Sequence, residues 1–251
     1  MTASPGQPPE GGARDAAHWA PPVDKLRVSG APPGALNLNV EGRRVLGPLQ
    51  GFGQMWQKTY RVRLSGSGAT PSEVIKVWKQ HFPEFWPRGN RFYAPLTGIA
   101  PGEVAVLNLS AGPIRLSTGV MVLYADDESF TLMTPEGHTF AGWITFSAFE
   151  EGGPTVAQAQ VLMRAQDPLS EIGLVLGGHK LEDRFWEHTL RFLAVHFGVE
   201  GQVQTQVTRV DGRRQWSKAR NIWHNAAIRS TLYGLAAPAR WMVRPFKRRE
   251  Q

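Results

Sequence analysis

His179 and Asp183 stand four residues apart in a stretch whose other residues repeat with helical period, which places their side chains on adjacent turns within mutual reach. A carboxylate beside an imidazole can hold a proton or orient the polar group of a ligand, so His179 is an acid/base candidate and Asp183 its orienting partner. A polar pair that only fixes the helix position is equally compatible with this spacing. With Glu187 the run reads His-x3-Asp-x3-Glu, but Glu187 falls on the charged side of the helical wheel with Lys180, Arg184 and Arg191. No metal site and no cofactor are therefore expected. A second candidate is His138, at the end of Thr134-Pro-Glu-Gly-His138. Gly137 permits a tight turn there, delivering His138 and then Gly142-Trp143 onto a strand, where the imidazole would meet a ligand or serve as a loop residue.

The chain has 251 residues and no cysteine, which removes disulfides, thiolate nucleophiles and Cys-ligated zinc. There is no G-x-G-x-x-G after a strand, no phosphate loop, no H-E-x-x-H and no G-x-S-x-G. Nucleotide chemistry and the commonest hydrolase designs are disfavoured on that ground.

The elements that must position these residues can be read from periodicity. Residues 1–50 are rich in Gly and Pro, which withhold donors and raise the ordering cost, so a disordered or extended arm is expected. Trp56, Lys58, Tyr60, Val62 and Leu64 alternate as in a half-buried strand. Thr70-Pro-Ser-Glu73 has the residues of a capping box that opens a helix. Five strand-like runs follow, near 104–109, 116–124, 129–134, 139–149 and 155–165, separated by turn chemistry. Consecutive strands with hairpin-sized gaps predict an α+β fold with an antiparallel sheet. Asp167-Pro168 then caps a long helix to about Phe197, with Ile172, Val175, Leu176, Trp186, Leu190, Leu193 and Phe197 on one side. Gly177-Gly178 marks a weak point where a kink is expected.

From Gly201 onward the chain carries eleven Lys/Arg against two acids, a balance of +9, while residues 1–200 stand at −2 out of the overall +7. Residues 201–251 are expected to form a basic, helical, Trp-rich tail, and Trp216, Ala219, Trp223, Ala226, Ser230 and Tyr233 recur at helical spacing. Trp216, Arg220, Trp223, Arg229, Trp241 and Arg244 could meet an anionic membrane surface, or the Trp side chains could dock the tail on its own domain. Nucleic acid is disfavoured because no recognition motif accompanies the charge. The first 25 residues lack an apolar core of signal-peptide length, and no stretch reaches the roughly 20 apolar residues of a spanning helix. These features predict a soluble, cytoplasmic protein, peripheral to the inner face of the membrane if the tail binds there.

One strand, two short helical pieces, a run of antiparallel strands and a closing long helix resemble the START-like, or SRPBCC, helix-grip superfamily. The block from Gly119-Val-Met-Val through Thr134-Pro-Glu-Gly-His-Thr-Phe-Ala-Gly142, with Arg164 to Asp167-Pro168, resembles an uncharacterised bacterial branch of it, a domain of unknown function. The resemblance covers roughly residues 50–200. Where that branch commonly carries an acid after the second glycine, Trp143 stands here. The resemblance implies a sheet wrapped around the long helix, with a cavity between them for an apolar small molecule or lipid. It carries over no catalytic residue, since some members are enzymes and many only bind. The expected lining is His138, Trp143, Phe146, Leu176, His179, Asp183 and Trp186. A cyclase- or dehydratase-type enzyme using the same cavity is the alternative.

Overall fold

The computed structural model describes residues 16–29, 35–111 and 114–236. Its strands are β1 (Met55–Arg63), β2 (Arg91–Tyr93), β3 (Val104–Ala111), β4 (Ile114–Ala125), β5 (Ser129–Met133), β6 (Phe140–Glu150), β7 (Thr155–Ala165) and β8 (Gln204–Asp211). All pairings are antiparallel and make one sheet of order β2-β3-β4-β5-β6-β7-β1-β8. The helices are α1 (Pro71–His81), α2 (Pro168–Gly173), α3 (His179–His196) and α4 (Ala226–Leu235). The five strand-like runs of the sequence are β3 to β7.

Local chemistry accounts for where the helices begin. Thr70 and Glu73 form a reciprocal box, Glu73 N–H donating to Thr70 Oγ1 at 3.3 Å and Thr70 N–H to Glu73 Oε2 at 2.8 Å. Asp167 caps α2 by accepting from Ser170 N–H at 3.0 Å. Between α2 and α3 lies a wide turn, Leu174–Gly178, in which Gly177 has φ 132°, a conformation that side chains other than glycine rarely adopt. The predicted break is there, and it resets the helical phase. Leu190 and Leu193 face the core as expected, while Ile172, Val175 and Leu176 are turned to solvent.

The inner face of the sheet carries Tyr60, Val62, Val122, Phe130, Leu132, Phe146, Ala159 and Met163, and α1 and α3 cover it. Its outer face is covered too. Leu26 and Val40 of the N-terminal arm pack on Val104 and Met121, and Trp19 meets Tyr124 edge-on at 4.9 Å. The arm is therefore an extended, packed segment over 16–29 and 35–50 rather than a disordered one, because its few apolar residues find the outer side of β3 and β4.

The tail differs from the helical expectation. Residues 204–211 are the edge strand β8, whose seven-residue register with β1 joins segments about 150 positions apart. A 3₁₀ stretch (Trp216–His224) and α4 follow, crossing the outer side of the sheet. Asn39 Nδ2 donates to Ser117 O at 2.8 Å, and Ser117 N–H donates to Ser230 Oγ at 3.1 Å, tying arm, sheet and tail together.

Candidate functional site

β1 alternates Trp56, Lys58, Tyr60 and Val62 toward α3, so the period that buries the apolar members also carries a lysine inward. Lys58 is 1% exposed. An ammonium group taken out of water is stable only with close partners, and α3 supplies them. Lys58 Nζ lies 2.7 Å from Asp183 Oδ1, 2.9 Å from Glu182 Oε2 and 3.3 Å from the His179 carbonyl oxygen. The Tyr60 hydroxyl donates to the same Asp183 oxygen at 2.7 Å. The His179 ring packs edge-on against Trp56 at 5.1 Å, and among the described residues its Nδ1 is buried without a hydrogen-bond partner. Arg209 of β8 lies over the other part of this corner, 6.0 Å from the Trp56 ring.

The electrostatics follow from burial. Burial pushes the Glu182 carboxyl up to about 7, with Lys58 pulling in the opposite direction. Burial, Glu182 and Asp183 together raise the Tyr60 phenol well above its ordinary value, so Tyr60 remains a neutral donor. Burial and the Lys58 charge lower His179, favouring the neutral imidazole. One ammonium side chain and two carboxyl side chains, one of them pushed up by burial, thus share a corner of the molecule that is otherwise apolar.

The structure brings His179 and Asp183 to this corner but does not pair them. Asp183 accepts from Lys58 and Tyr60, and among the described residues no hydrogen bond joins it to His179. Glu187 turns to β8, accepting from Thr205 at 2.9 Å. Phe146 and Trp186 do lie between sheet and helix, 5.4 Å apart. They belong to a packed ring cluster in which Phe146 stacks on Phe130 at 4.6 Å and meets Trp78 and Phe82 at 5.0 Å each. Much of the space expected to be a cavity is filled by these rings.

His138, Trp143 and Leu176 are elsewhere. His138 is buried in the β5–β6 connection, where its Nδ1 accepts from Phe140 N–H at 3.0 Å, so the ring closes the turn. Burial pushes it down to about 4. Trp143 faces the outer side of β6, opposite to Phe146, and sits beside Gly47 of the arm. Leu176 is 81% exposed, turned outward by the break at Gly177. Lys58, Tyr60 and Glu182 were not among the expected site residues. The available signal was Lys58 itself, a lysine in phase with the inward-facing members of an alternating strand.

A long helix packed across the inner face of an antiparallel sheet, with a polar corner between them, defines the architecture. The fold is a helix grip. Neither a family model nor a curated protein matches the chain by sequence. Among solved structures, a START superfamily protein from Mycobacterium smegmatis is similar over 58% of this chain and 98% of that one, at 19% identity and TM-score 0.39. The di-domain ARO/CYC StfQ from the steffimycin biosynthetic pathway is similar over 57% of this chain and 50% of its own, at 10% identity and TM-score 0.44. Ginseng major latex-like protein 151 from Panax ginseng matches over 58% and 99%, at 13% identity and TM-score 0.37. At these identities and scores the likeness carries no argument about function.

Proposed function

We propose that the protein binds a mostly apolar small molecule whose neutral, hydrogen-bonding head sits at the Lys58–Tyr60–Glu182–Asp183 corner. The observation that carries this reading is the buried Lys58 cluster beside an imidazole nitrogen with no hydrogen-bond partner among the described residues. Burying an ion cluster in a core is energetically neutral at best compared with an apolar replacement, so stability alone does not account for it. Its charges nearly cancel, which favours a hydroxyl or carbonyl head over a carboxylate. Trp56 and Trp186 would meet the apolar body, in keeping with sites that are mostly apolar with a few placed polar groups.

The test is displacement of the neutral probe N-phenyl-1-naphthylamine by a long-chain alcohol and by an alkane of equal length. We expect saturable probe binding and an alcohol preference of tenfold or more, lost in Lys58→Met/Glu182→Leu. Absence of saturable binding, or an alcohol preference retained by the double variant, would overturn the proposal.

A second reading is favoured by Glu182, whose buried carboxyl titrates near neutrality. With His179 it could move a proton in a cyclisation or dehydration. For a molecule recovered by denaturing extraction of the purified protein, His179→Gln and Glu182→Gln should each lower turnover at least a hundredfold while preserving binding. Unchanged turnover in both would leave binding alone.

A further inference from the structure

Between Gly212 and Ala236 the chain has five Lys/Arg and no acid. The sequence left open whether the Trp residues of this segment pin it to the domain. Other groups hold it there. Asn221 Nδ2 donates to Gln50 O at 3.0 Å and Gln166 O at 2.9 Å, Asn225 Nδ2 donates to Asp167 Oδ2 at 2.9 Å, and Arg214 pairs with Glu171 at 2.9 Å. Trp216 touches Phe52 with a ring edge yet stays 74% exposed, and Trp223 is 81% exposed. Two indoles thus face water from a segment anchored by polar groups, and solvation alone does not favour that arrangement.

The segment also touches α2, the helix that leads into further exposed apolar side chains. The Arg214–Glu171 and Asn225–Asp167 contacts set the segment against α2, whose continuation through the Gly177 break presents Val175 and Leu176 to solvent. The side chains of Arg213 and Arg220 are exposed on the same segment, Arg213 with its Nε on Asp211 Oδ1 at 3.1 Å. We infer that this end of the molecule is a docking surface for an anionic lipid bilayer, Trp223, Trp216, Val175 and Leu176 entering the headgroup boundary and the arginines meeting lipid phosphates. Indole rings prefer that depth, and cations are attracted to the negative leaflet. Exposed aliphatic side chains distinguish this surface from a nucleic-acid site, because Val175 and Leu176 have no use against bases or phosphates, whereas hydrocarbon accepts them. The inference is independent of what the Lys58 corner holds.

The test is co-sedimentation of the full chain with vesicles of 30 mol% phosphatidylglycerol in phosphatidylcholine, against vesicles of phosphatidylcholine alone and a 20-base-pair DNA duplex. We expect binding to the anionic vesicles that weakens in 0.5 M NaCl, at least tenfold weaker binding to neutral vesicles, and quenching of tryptophan fluorescence by bromine on the upper acyl chain. Trp223→Ser/Leu176→Gln should bind at least tenfold more weakly, and Arg220→Gln roughly fivefold more weakly. Both substituted apolar side chains are largely exposed, so melting temperatures should stay within about 2 °C of the parent, which separates lost docking from lost folding. Three outcomes would each overturn the inference: no binding to anionic vesicles, equal binding by the Trp223/Leu176 variant, or tighter binding to the duplex than to vesicles.

Discussion

Lys58 shows how one side chain can be legible in its placement and illegible in its partners. Its phase with Trp56 and Tyr60 points inward on any reading of the strand, but Glu182 and Asp183 lie more than 120 positions away on a helix whose phase is reset at Gly177. Periodicity over α3 alone therefore selected His179 and Asp183 and passed over Glu182. The energetics of such a cluster are asymmetric. Lys58→Met alone leaves two acids facing a methionine and should destabilise by about 3–5 kcal/mol, whereas Lys58→Met/Glu182→Leu leaves only Asp183, which is partly exposed and keeps its Tyr60 hydrogen bond, and should recover most of that loss. Urea unfolding of the three proteins checks this, and a double variant less stable than the single one would refute it. The same cluster predicts a pH dependence. Glu182 is raised from 4.5 to about 7, so the folded state binds the extra proton between those values. Its contribution is complete below pH 4.5 and is lost as pH rises through 7, a decline of roughly 2–3 kcal/mol that Glu182→Gln should flatten. His138 has the opposite sign: lowered to about 4, it contributes above pH 6.5 and its contribution is lost as pH falls through 4. Unfolding midpoints between pH 4 and 8 for the parent, Glu182→Gln and His138→Asn separate the two slopes.

Elements whose signals are local were the readable ones. The capping box at Thr70, the Asp167-Pro168 start and the turn residues between β4 and β7 each act within a few positions, and the structure has them where the sequence puts them. β8 was missed for the converse reason. Gln204–Asp211 is exposed on both faces, so it lacks the apolar alternation that marks a strand, and only its pairing with β1 makes it one. The break in the long helix was readable from Gly177-Gly178, but its consequence was not, since continuing the 100° wheel through it kept Ile172, Val175 and Leu176 on the core side. A Cβ at Gly177 would meet nothing within 4 Å, so the requirement for glycine there is purely conformational. Gly177→Ala should destabilise by about 1–3 kcal/mol. Hydrogen exchange should locate the change between 172 and 182, next to the Lys58 corner. An unchanged unfolding midpoint would mean that the helix can straighten freely, and the outward turn of Leu176 would then need another cause.

At the scale of the molecule, the sheet is covered on both sides. α1 and α3 lie on its inner face, and the arm and tail lie on its outer face. Residues 204–236 are therefore part of the folded unit, although their charge separates them from the rest of the chain in the sequence; Trp241 and Arg244 lie outside the described residues. Two buried groups depend on it. Arg164 is buried at the end of β7 and donates to Gly53 O at 2.6 Å, Arg213 O at 2.8 Å and Asp211 Oδ2 at 2.6 Å, so two of its three acceptors come from β8 and the residues after it. Asn225 accepts from Ala227 and Ile228 N–H while donating to Asp167, joining the caps of α4 and α2. Gly137 is crossed by the tail so closely that a Cβ there would overlap the His224 carbonyl. A chain ending at Gly201 would leave the Arg164 guanidinium short of acceptors and expose the edge of β1, which invites pairing with other chains. That truncation should lose its cooperative melt or drop at least 10 °C in Tm, and it should sediment as aggregate. Asn225→Ala, which removes only the shared cap, should destabilise by about 2–3 kcal/mol and remain monodisperse. If the truncated chain instead melted within 5 °C of the parent, the tail would be an appendage, and deleting it would become a fair test of surface binding. On the present contacts it is not one, so the docking surface has to be probed by single exposed side chains on an intact fold.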